Sequence, residues 1–453
     1  MLTLALFQYE KRFIPLAPIY LAFGLKEKGI PFKLRLYIVY KFGHNIDKLY
    51  SFFTNSTDIL AVGCWSDMLP FVMVALRKIK KKFPKKIIIL GGVGPSTAAE
   101  DIMSQFGFVD YIIKGCGVYK LPELVQKICN GSGALEDIRG LVYRQDNRIV
   151  SNYYDRYDLN IPDLPAYEVI NNPESYYNFS LLTSFGCPYH CTYCDSMPIS
   201  PKKIYCRDLN KVIEEIRLIK RINKNREFSI IIEDEAFVLN KSRAIEFCNL
   251  LKRHKLNVRW ACFGRVDRMD EDLLKIMSEA GCWNVLYGIE SGSDRILKKI
   301  GRNYSIDQAI KVLILSKGYI RSTCANFIYL FPFETKKDFL LTLEKVRYLL
   351  GRDILTTLIP LSPVRNSAMY LEYKNRMKFS QDVPSCYLDK KKLPRECVEL
   401  IKKYPQIFYS FYHYDFRGIK SLVKLYDDFD WLAGKYRSLR EFFGGSPFAN
   451  IRK

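Results

Sequence analysis

Short apolar runs alternate with amphipathic ones along the first 145 residues. LTLALFQ (2–8), FKLRLYIVY (32–40), DILAVGCWS (58–66), KKIIILGGV (85–93) and VDYIIKG (109–115) are apolar and bounded by turn residues, as buried parallel strands are. Between them IYLAFGLKEKG, IDKLYSFF and FVMVALRKIKKKF space their apolar residues as helices do. This pattern predicts a doubly wound, Rossmann-like α/β domain over 1–145. Such sheets bind ligands beyond the carboxyl ends of their strands, which singles out GCWSDMLP (63–70), GGVGPST (91–97) and KGCGVYKLPE (114–123). Their glycines permit close backbone approach, and Ser96 and Thr97 open the next helix where an anion could bind. GGVGPS does not match G-x-G-x-x-G, and no acidic residue closes a following strand, so a nicotinamide cofactor is disfavoured.

Residues 146–178 form a polar, proline-rich linker, with VYRQDNRIV at its start predicting a hairpin that turns at QDN. From 179 to 365 the alternation resumes. FSLLTS, FSIIIED, VRWACFG, NVLYGIES, TCANFIYL and ILTTLIPL are each separated by a helical run. About six strand and helix pairs predict a partial (β/α)6 barrel whose site opens at the strand carboxyl ends. Residues 366–453 read as a helical, aromatic carboxyl-terminal region without assignable chemistry.

Composition adds little until the cysteines are placed. The chain has 453 residues, 48% hydrophobic, and a net charge of +22. That charge admits nucleic acid, an anionic membrane surface or acidic cofactors and chooses none. LRKIKKKFPKK (76–86) reads as a solvated helix face. No uninterrupted apolar run of about 18 residues exists, and the amino terminus is too short and too soon charged for a signal peptide, so a cytoplasmic protein is expected. Most of the thirteen cysteines sit in apolar segments as small hydrophobes.

Three cysteines are clustered. GCPYHCTYCDS (186–196) places Cys187, Cys191 and Cys194 within eight residues, in the loop after the first barrel strand. Three thiolates can ligate three irons of a [4Fe-4S] cluster and leave the fourth open to a substrate or cosubstrate. Structural zinc wants four closed ligands, and His190 inside the loop makes that geometry awkward. A redox dithiol would need only CTYC.

Cys-x-x-x-Cys-x-aromatic-Cys at this place resembles the radical S-adenosylmethionine (SAM) superfamily, with Tyr193 at the aromatic position. The resemblance implies a [4Fe-4S] cluster whose open iron chelates the amino and carboxylate groups of SAM and cleaves it to a 5'-deoxyadenosyl radical. It makes Glu233 and Asp234 of IIIEDEAF candidates for the SAM amino group. WACFGRVDRMDEDLLKIMSEAGC (260–282) and VLYGIESGSDRILKKIGRNYS (285–305) resemble the branch that carries an amino-terminal cobalamin domain. By that likeness Arg265 reaches the SAM carboxylate and Glu290 hydrogen-bonds SAM.

The loops GCWSDMLP and GGVGPS are similar to that branch's cobalamin-binding domain. The resemblance makes Trp65, Ser66, Leu69, Gly91, Gly92, Gly94 and Ser96 the residues about the cofactor, with Trp65 or Leu69 shaping the empty side of cobalt. The loop after the first strand, FQYEKRFIP, lacks the D-x-H-x-x-G histidine, so cobalamin is expected base-off without a histidine lower ligand. Cys116 and Val118 stand where acidic residues are common, and Leu330 and Phe333 replace glycines of an F-x-x-G-x-P-G-E-T-like turn.

The implied function is a cobalamin-dependent radical SAM methyltransferase, moving a methyl from SAM by way of methylcobalamin to an unactivated carbon. Two alternatives keep this chemistry: a cyclase, oxidase or rearrangement enzyme without methyl transfer, or an RNA- or lipid-modifying member. A regulator with a decayed barrel is disfavoured by the intact Cys187, Cys191, Cys194, Arg265 and Glu290. The implied partners are an unidentified substrate and an external electron donor such as flavodoxin or ferredoxin. Nucleic acid is disfavoured, since no RNA-binding module is legible. The basic, aromatic carboxyl-terminal region is compatible with peripheral contact at an anionic bilayer.

Overall fold

The computed structural model describes residues 1–8, 13–131, 133–154, 161–194, 201–224, 226–235, 237–385, 388–416 and 418–433. Contacts divide the chain into two units, Met1–Pro173 with Lys392–Phe411, and Glu174–Lys391 with Tyr412–Lys453.

In the first unit the elements run β1 (Leu2–Gln8), α1 (Leu16–Glu27), β2 (Phe32–Ile38), α2 (Ile46–Thr54), β3 (Ile59–Gly63), α3 (Leu69–Lys82) and β4 (Ile87–Gly91). They continue with α4 (Ala99–Gln105), β5 (Tyr111–Ile113), α5 (Lys120–Asn130), β6 (Leu141–Gln145) and β7 (Arg148–Ser151). The sheet order is β2-β1-β3-β4-β5-β6-β7, parallel through β5 and antiparallel in the closing hairpin. Buried apolar runs explain the parallel strands: all seven residues of β1 are buried, as expected when helices cover both faces. One face is filled by Leu2, Leu4, Leu6, Ala61, Ile89, Leu124 and Leu141. The order reverses at β1, which makes the crevice beyond β1 and β3 the switch point where open α/β sheets bind ligands. The hairpin turns on Asp146 (φ 48°) and Asn147 (φ 60°), the paired left-handed conformation that matches strand twist.

The second unit holds β8 (Asn178–Leu181), α6 (Leu209–Ile222), β9 (Ser229–Ile232), α7 (Lys241–Arg253), β10 (Arg259–Gly264), α8 (Glu271–Glu279) and β11 (Cys282–Glu290). Next come α9 (Asp294–Lys299), α10 (Ile306–Tyr319), β12 (Ser322–Tyr329), α11 (Lys336–Leu350) and β13 (Leu355–Pro360). β8 to β13 lie side by side in chain order, all parallel. This is a partial barrel. Side chains of Asp208, Asn240, Asp270, Ser305 and Thr335 cap the helices that follow the strands, satisfying amide groups that have no partner within the helix.

The stretch from 366 onward is not one helical region. Lys392–Phe411, with α12 (Arg395–Lys403), belongs to the first unit, where Glu396 meets Arg77 and Lys78 of α3 at 3.5 and 3.1 Å. Met377–Phe379 and Tyr412–Tyr414 pair as short antiparallel strands in the second unit, followed by α13 (Ile419–Ala433). The basic run 76–86 is only in part a solvated face, because Lys80 pairs with Asp110 at 2.8 Å and buried Lys86 donates to Ser56 O at 2.9 Å. Among the described residues no helix is long and apolar enough to cross a membrane.

Candidate functional site

β8 runs directly into the cysteine loop, and side chains from its neighbours hold the junction. Three consecutive acids after β9 take three successive positions. Glu233 Oε1 accepts from Ser180 Oγ (2.9 Å). Asp234 accepts from Thr183 N–H (2.7 Å), Thr183 Oγ (2.5 Å) and Ser184 Oγ (2.6 Å). Glu235 accepts from Gly186 N–H (2.8 Å). From outside, Arg207 donates to Leu182 O and to Glu215 in a buried ion pair. Arg243 donates to Thr183 O (2.9 Å) and Arg207 O (2.7 Å). Gly186 (φ +98°) is required here, since a Cβ would stand 2.2 Å from Lys203 O.

Asp234 therefore does not face a ligand ammonium. It is fully buried and spends both oxygens on the loop's root. Burial raises its carboxyl above the ordinary range, against those hydrogen bonds. Glu233 lies alongside on the strand end, also raised by desolvation, and keeps one oxygen beyond its bond to Ser180.

The far end of the loop rests on the segment after α9. Thr192 N–H donates to Ile300 O (3.3 Å) and Cys194 N–H to Cys191 O (3.2 Å). A Cβ on Gly301 (φ +83°) would lie 3.5 Å from His190 O. Tyr193 is held by Arg302, whose guanidinium donates to its hydroxyl (2.7 Å) and pairs with Glu290. All three are desolvated. Burial drives the Tyr193 phenol well above its usual range, with the Glu290 carboxylate adding to it. Glu290 ends β11 at φ 73°, after a register irregularity between Gly288 and Glu290. Phe331 packs edge-on to Tyr193, centroids 5.9 Å apart.

Arg265, just past β10, lies over the Tyr189 ring, 3.4 Å from its centroid, and chelates Asp267 at 3.0 and 3.1 Å. Arg268 donates to the Tyr189 hydroxyl (3.1 Å). Of the sulfurs, Cys191 is buried and Cys187 and Cys194 half-buried. Burial pushes the Cys187 thiol up, outweighing the hydrogen bond from the Tyr189 backbone and the nearby Arg265 charge. Among the described residues no three His, Cys, Asp or Glu side chains stand as a set that would hold a single metal ion. The loop leaves one polar atom unsatisfied. Thr192 Oγ, between two of the cysteines, is buried without a partner, as a group awaiting one would be. Three soft thiolates on a rigidly rooted loop suit an iron–sulfur cluster.

The turn after β12 departs from glycine at a cost. Leu330 adopts φ 70°, a conformation about 1–2 kcal/mol unfavourable for a branched side chain. Its N–H donates to Glu334 Oε2 (2.7 Å). Burial lifts the Glu334 carboxyl from 4.5 to about 8, and its other oxygen has no partner.

In the first unit the carboxyl edge is built by loop-on-loop packing. A Cβ on Gly92 (φ +87°) would meet Cys64 O at 2.8 Å, and one on Gly94 would meet the Trp65 carbonyl at 2.8 Å. These glycines seat one loop on another rather than opening space. Gly91 has only ordinary contact, with Ile113 O at 3.7 Å. Ser96 Oγ donates to Gly92 O (2.7 Å), and Thr97 shares a hydrogen bond with Tyr409 (2.7 Å). Leu69 is 1% exposed, so it belongs to the core and shapes no ligand face. What the edge does present is partly exposed Trp65 and Ser66 with exposed Gly92 and Val93, an apolar rim suited to a flat macrocycle. His44, after β2, reaches Asp67 of the 63–70 loop at 3.4 Å.

Sequence reasoning missed Arg302, Glu235, Arg207 and Arg243. Arg302 lies inside a quoted segment, KKIGRNYS, yet no spacing rule marks it.

With this geometry in hand, known proteins locate the chain. Residues 181–346 match the family model of the radical SAM superfamily, and this part of the chain is a radical SAM domain. An uncharacterized methyltransferase of Pyrococcus horikoshii is 28% identical over 270 residues, 58% of each chain. The anaerobic magnesium-protoporphyrin IX monomethyl ester cyclase of Synechocystis is 25% identical over 281 residues, 60% of this chain and 55% of the relative. The chain thus spans less than two thirds of these curated relatives. Among solved structures, the radical SAM methyltransferase TsrM of Kitasatospora setae, with cobalamin and a [4Fe-4S] cluster bound, superposes with a TM-score of 0.70 at 16% identity. That match covers 92% of this chain and 88% of TsrM. The two share a fold over nearly their whole lengths.

Proposed function

We propose that this chain is a cobalamin-dependent radical SAM enzyme, and specifically a methyltransferase acting on an unactivated carbon. One observation carries the reading: Cys187, Cys191 and Cys194 stand on the carboxyl-end loop of the first strand of a radical SAM domain, rooted by the clamp of Glu233, Asp234 and Glu235. The three cysteines would hold the [4Fe-4S] cluster, and the loops 63–66 and 91–96 would line the cobalamin. Bound there, the cluster supplies an electron for SAM cleavage and cobalamin carries the methyl group.

The chain's own residues bind and orient. Glu233, with an oxygen to spare beside the cysteine loop, is suited to an ammonium. Arg265, at the end of β10, offers a fixed guanidinium for a carboxylate once Asp267 gives way or shares it. Arg302 neutralises Glu290 and fixes Tyr193. Tyr189 stacks against Arg265, and Phe331 packs edge-on to Tyr193. The protein is proposed to be cytoplasmic and to draw its electron from a separate carrier protein.

The second reading keeps both cofactors without methyl transfer, and the cyclase relative favours it. Anaerobic incubation with cobalamin, a strong reductant and methyl-labelled SAM separates the two. Label recovered on cobalamin together with S-adenosylhomocysteine and 5'-deoxyadenosine supports the methyltransferase. 5'-Deoxyadenosine without either methylated species favours the second reading. Replacing the three cysteines by alanine is expected to abolish 5'-deoxyadenosine. If it persists, both readings fall.

A further inference from the structure

Successive side chains of a strand point to opposite faces, and contacts in the second unit fix which face is which. Trp260 packs edge-on to Phe247 of α7, the Tyr287 hydroxyl bonds Ser316 of α10, and Tyr329 stacks on Phe339 of α11. These positions face the helices. By alternation Phe263, Leu286, Gly288, Cys324 and Asn326 face the lumen of the barrel. The lumen has a floor, where Trp283 Nε1 donates to Ser229 Oγ (2.9 Å) and Asn284 Nδ2 to Ser322 Oγ (2.8 Å).

Above that floor two side chains are out of character for a packed core. Phe263 is 39% exposed although it lies within a parallel strand, where both faces are ordinarily covered. Its register partner is Leu286, level with Cys324 and one layer below Gly288 and Asn326. Asn326 is half-buried, and its Oδ1 accepts from Thr357 Oγ1 (2.7 Å) and Cys324 Sγ (3.6 Å). Two donors meeting at the oxygen leave the amide nitrogen to donate, and among the described residues it has no partner. Gly288, its register neighbour, brings no side chain to cover it. The lumen also has little charge to spare. Along β8 to β13 the lumen-side cation is Arg259, which lies at the floor 4.9 Å from the Trp283 ring centroid. At the rim Arg265 chelates Asp267, and Arg302 pairs with Glu290.

We propose that Phe263 and Asn326 select the substrate, and that it is an uncharged, largely apolar molecule offering one carbonyl or hydroxyl oxygen. The inference deepens the function proposed above and rests on it, since it names what that site accepts. Phe263 supplies apolar contact area, and the Asn326 amide, held by Thr357, fixes orientation through one hydrogen bond. A molecule of the same shape without the oxygen leaves that amide desolvated and unpaired, which is how a single polar group in an apolar pocket discriminates. An anionic body would meet only committed cations in the lumen, and burying a charge without a partner is costly.

The test titrates two fluorescent probes into the full chain. Prodan is an uncharged naphthalene ketone whose emission moves to the blue in apolar surroundings and to the red when its carbonyl accepts a hydrogen bond. Anilinonaphthalene sulfonate is its anionic counterpart. Prodan is expected to bind the more tightly. F263A, which truncates a partly exposed side chain, should weaken prodan binding about tenfold or more. N326L should weaken it about three- to tenfold and move the bound emission to the blue. L340A, on the exposed side of α11, should change neither. The affinity of the reconstituted chain for S-adenosylhomocysteine should be unaltered in N326L. Tighter binding of the sulfonate, equal weakening by L340A, or prodan binding that neither F263A nor N326L changes would each overturn the proposal. So would a matching loss of S-adenosylhomocysteine affinity in N326L, which would assign the amide to the cosubstrate. The prodan titrations require no SAM cleavage, so a wild-type chain that makes no 5'-deoxyadenosine yet shows the expected prodan pattern would sink the proposed function and leave the pocket's selectivity standing.

Discussion

The two sets of carboxyl-end loops are built on opposite plans. In the first unit the loops at 63–66 and 91–97 support each other: glycine lies against backbone, and the Ser96 hydroxyl folds back onto Gly92 O. In the second unit the cysteine loop hardly supports itself. Acids after β9, arginines at 207 and 243, and Arg302 after α9 hold it from several places in the sequence. A loop that packs on its neighbour tolerates little change in its own residues but little depends on residues far away. A loop gripped from outside places its chemistry in a short motif and its geometry elsewhere.

The largest effect expected from this contrast is at Arg302. Removing its charge as R302M leaves Glu290 buried without its cation and the Tyr193 hydroxyl without its donor. Breaking a buried pair on one side costs about 3–5 kcal/mol. Chemical denaturation of the apo chain checks the stability, and iron content after reconstitution should fall with it. R302K should recover part of both, because it restores the charge without the reach of the planar guanidinium. An R302M variant with unaltered stability and iron content would mean the loop is self-supporting, and the contrast between the two units would collapse.

Sequence made the elements legible because buried parallel strands and capped helices are local patterns. FSIIIED and AIEFCNLLKRH carry their period and their stop signals within a dozen residues. The cysteine loop was legible for the same reason, since ligand spacing is local. Asp234 was misassigned because its type and position suit two jobs, and only the three-dimensional proximity of Thr183 and Ser184 decides between them. Gly92 and Gly94 carry a similar ambiguity: a glycine-rich loop signals close approach, and the sequence does not say whether a ligand or another loop approaches. Arg302 was invisible because its partners, twelve residues before it and in the cysteine loop, meet it only through the fold.

The next effect concerns pH and the turn that leans on Tyr193 through Phe331. Glu334 has its carboxyl lifted by burial from 4.5 to about 8, so between these values the folded chain binds a proton that the unfolded chain has released. Stability from this group is therefore complete below about 4.5 and is lost as pH rises through about 8. E334Q, which keeps an oxygen for the Leu330 N–H, should flatten this fall. Melting temperatures measured from pH 5 to 8.5 should decline less steeply in the variant, with the two proteins diverging most above pH 7. Parallel curves would show that Glu334 ionises with its ordinary affinity, and that the turn is less enclosed than its neighbours' packing implies.

The smallest effect, and the one that speaks for the first unit, is at Gly94. Its Cβ position lies 2.8 Å from both the carbonyl carbon and oxygen of Trp65 and 3.0 Å from Ser66 N. These are backbone atoms, so relief requires the two loops to part. Overpacking of this kind typically costs about 1–3 kcal/mol, and G94A should lower the stability of the first unit by that order. Because nothing in the cysteine loop's clamp involves these residues, iron content and cluster absorbance should stay at the wild-type level while cobalamin retention falls. Loss of the cluster in G94A would show that the second unit's clamp depends on the first unit's loops, so that the two plans are one. Retention of both would place Trp65 and Ser66 outside the cobalamin rim and move the search for it to the neighbouring loop at 114–119.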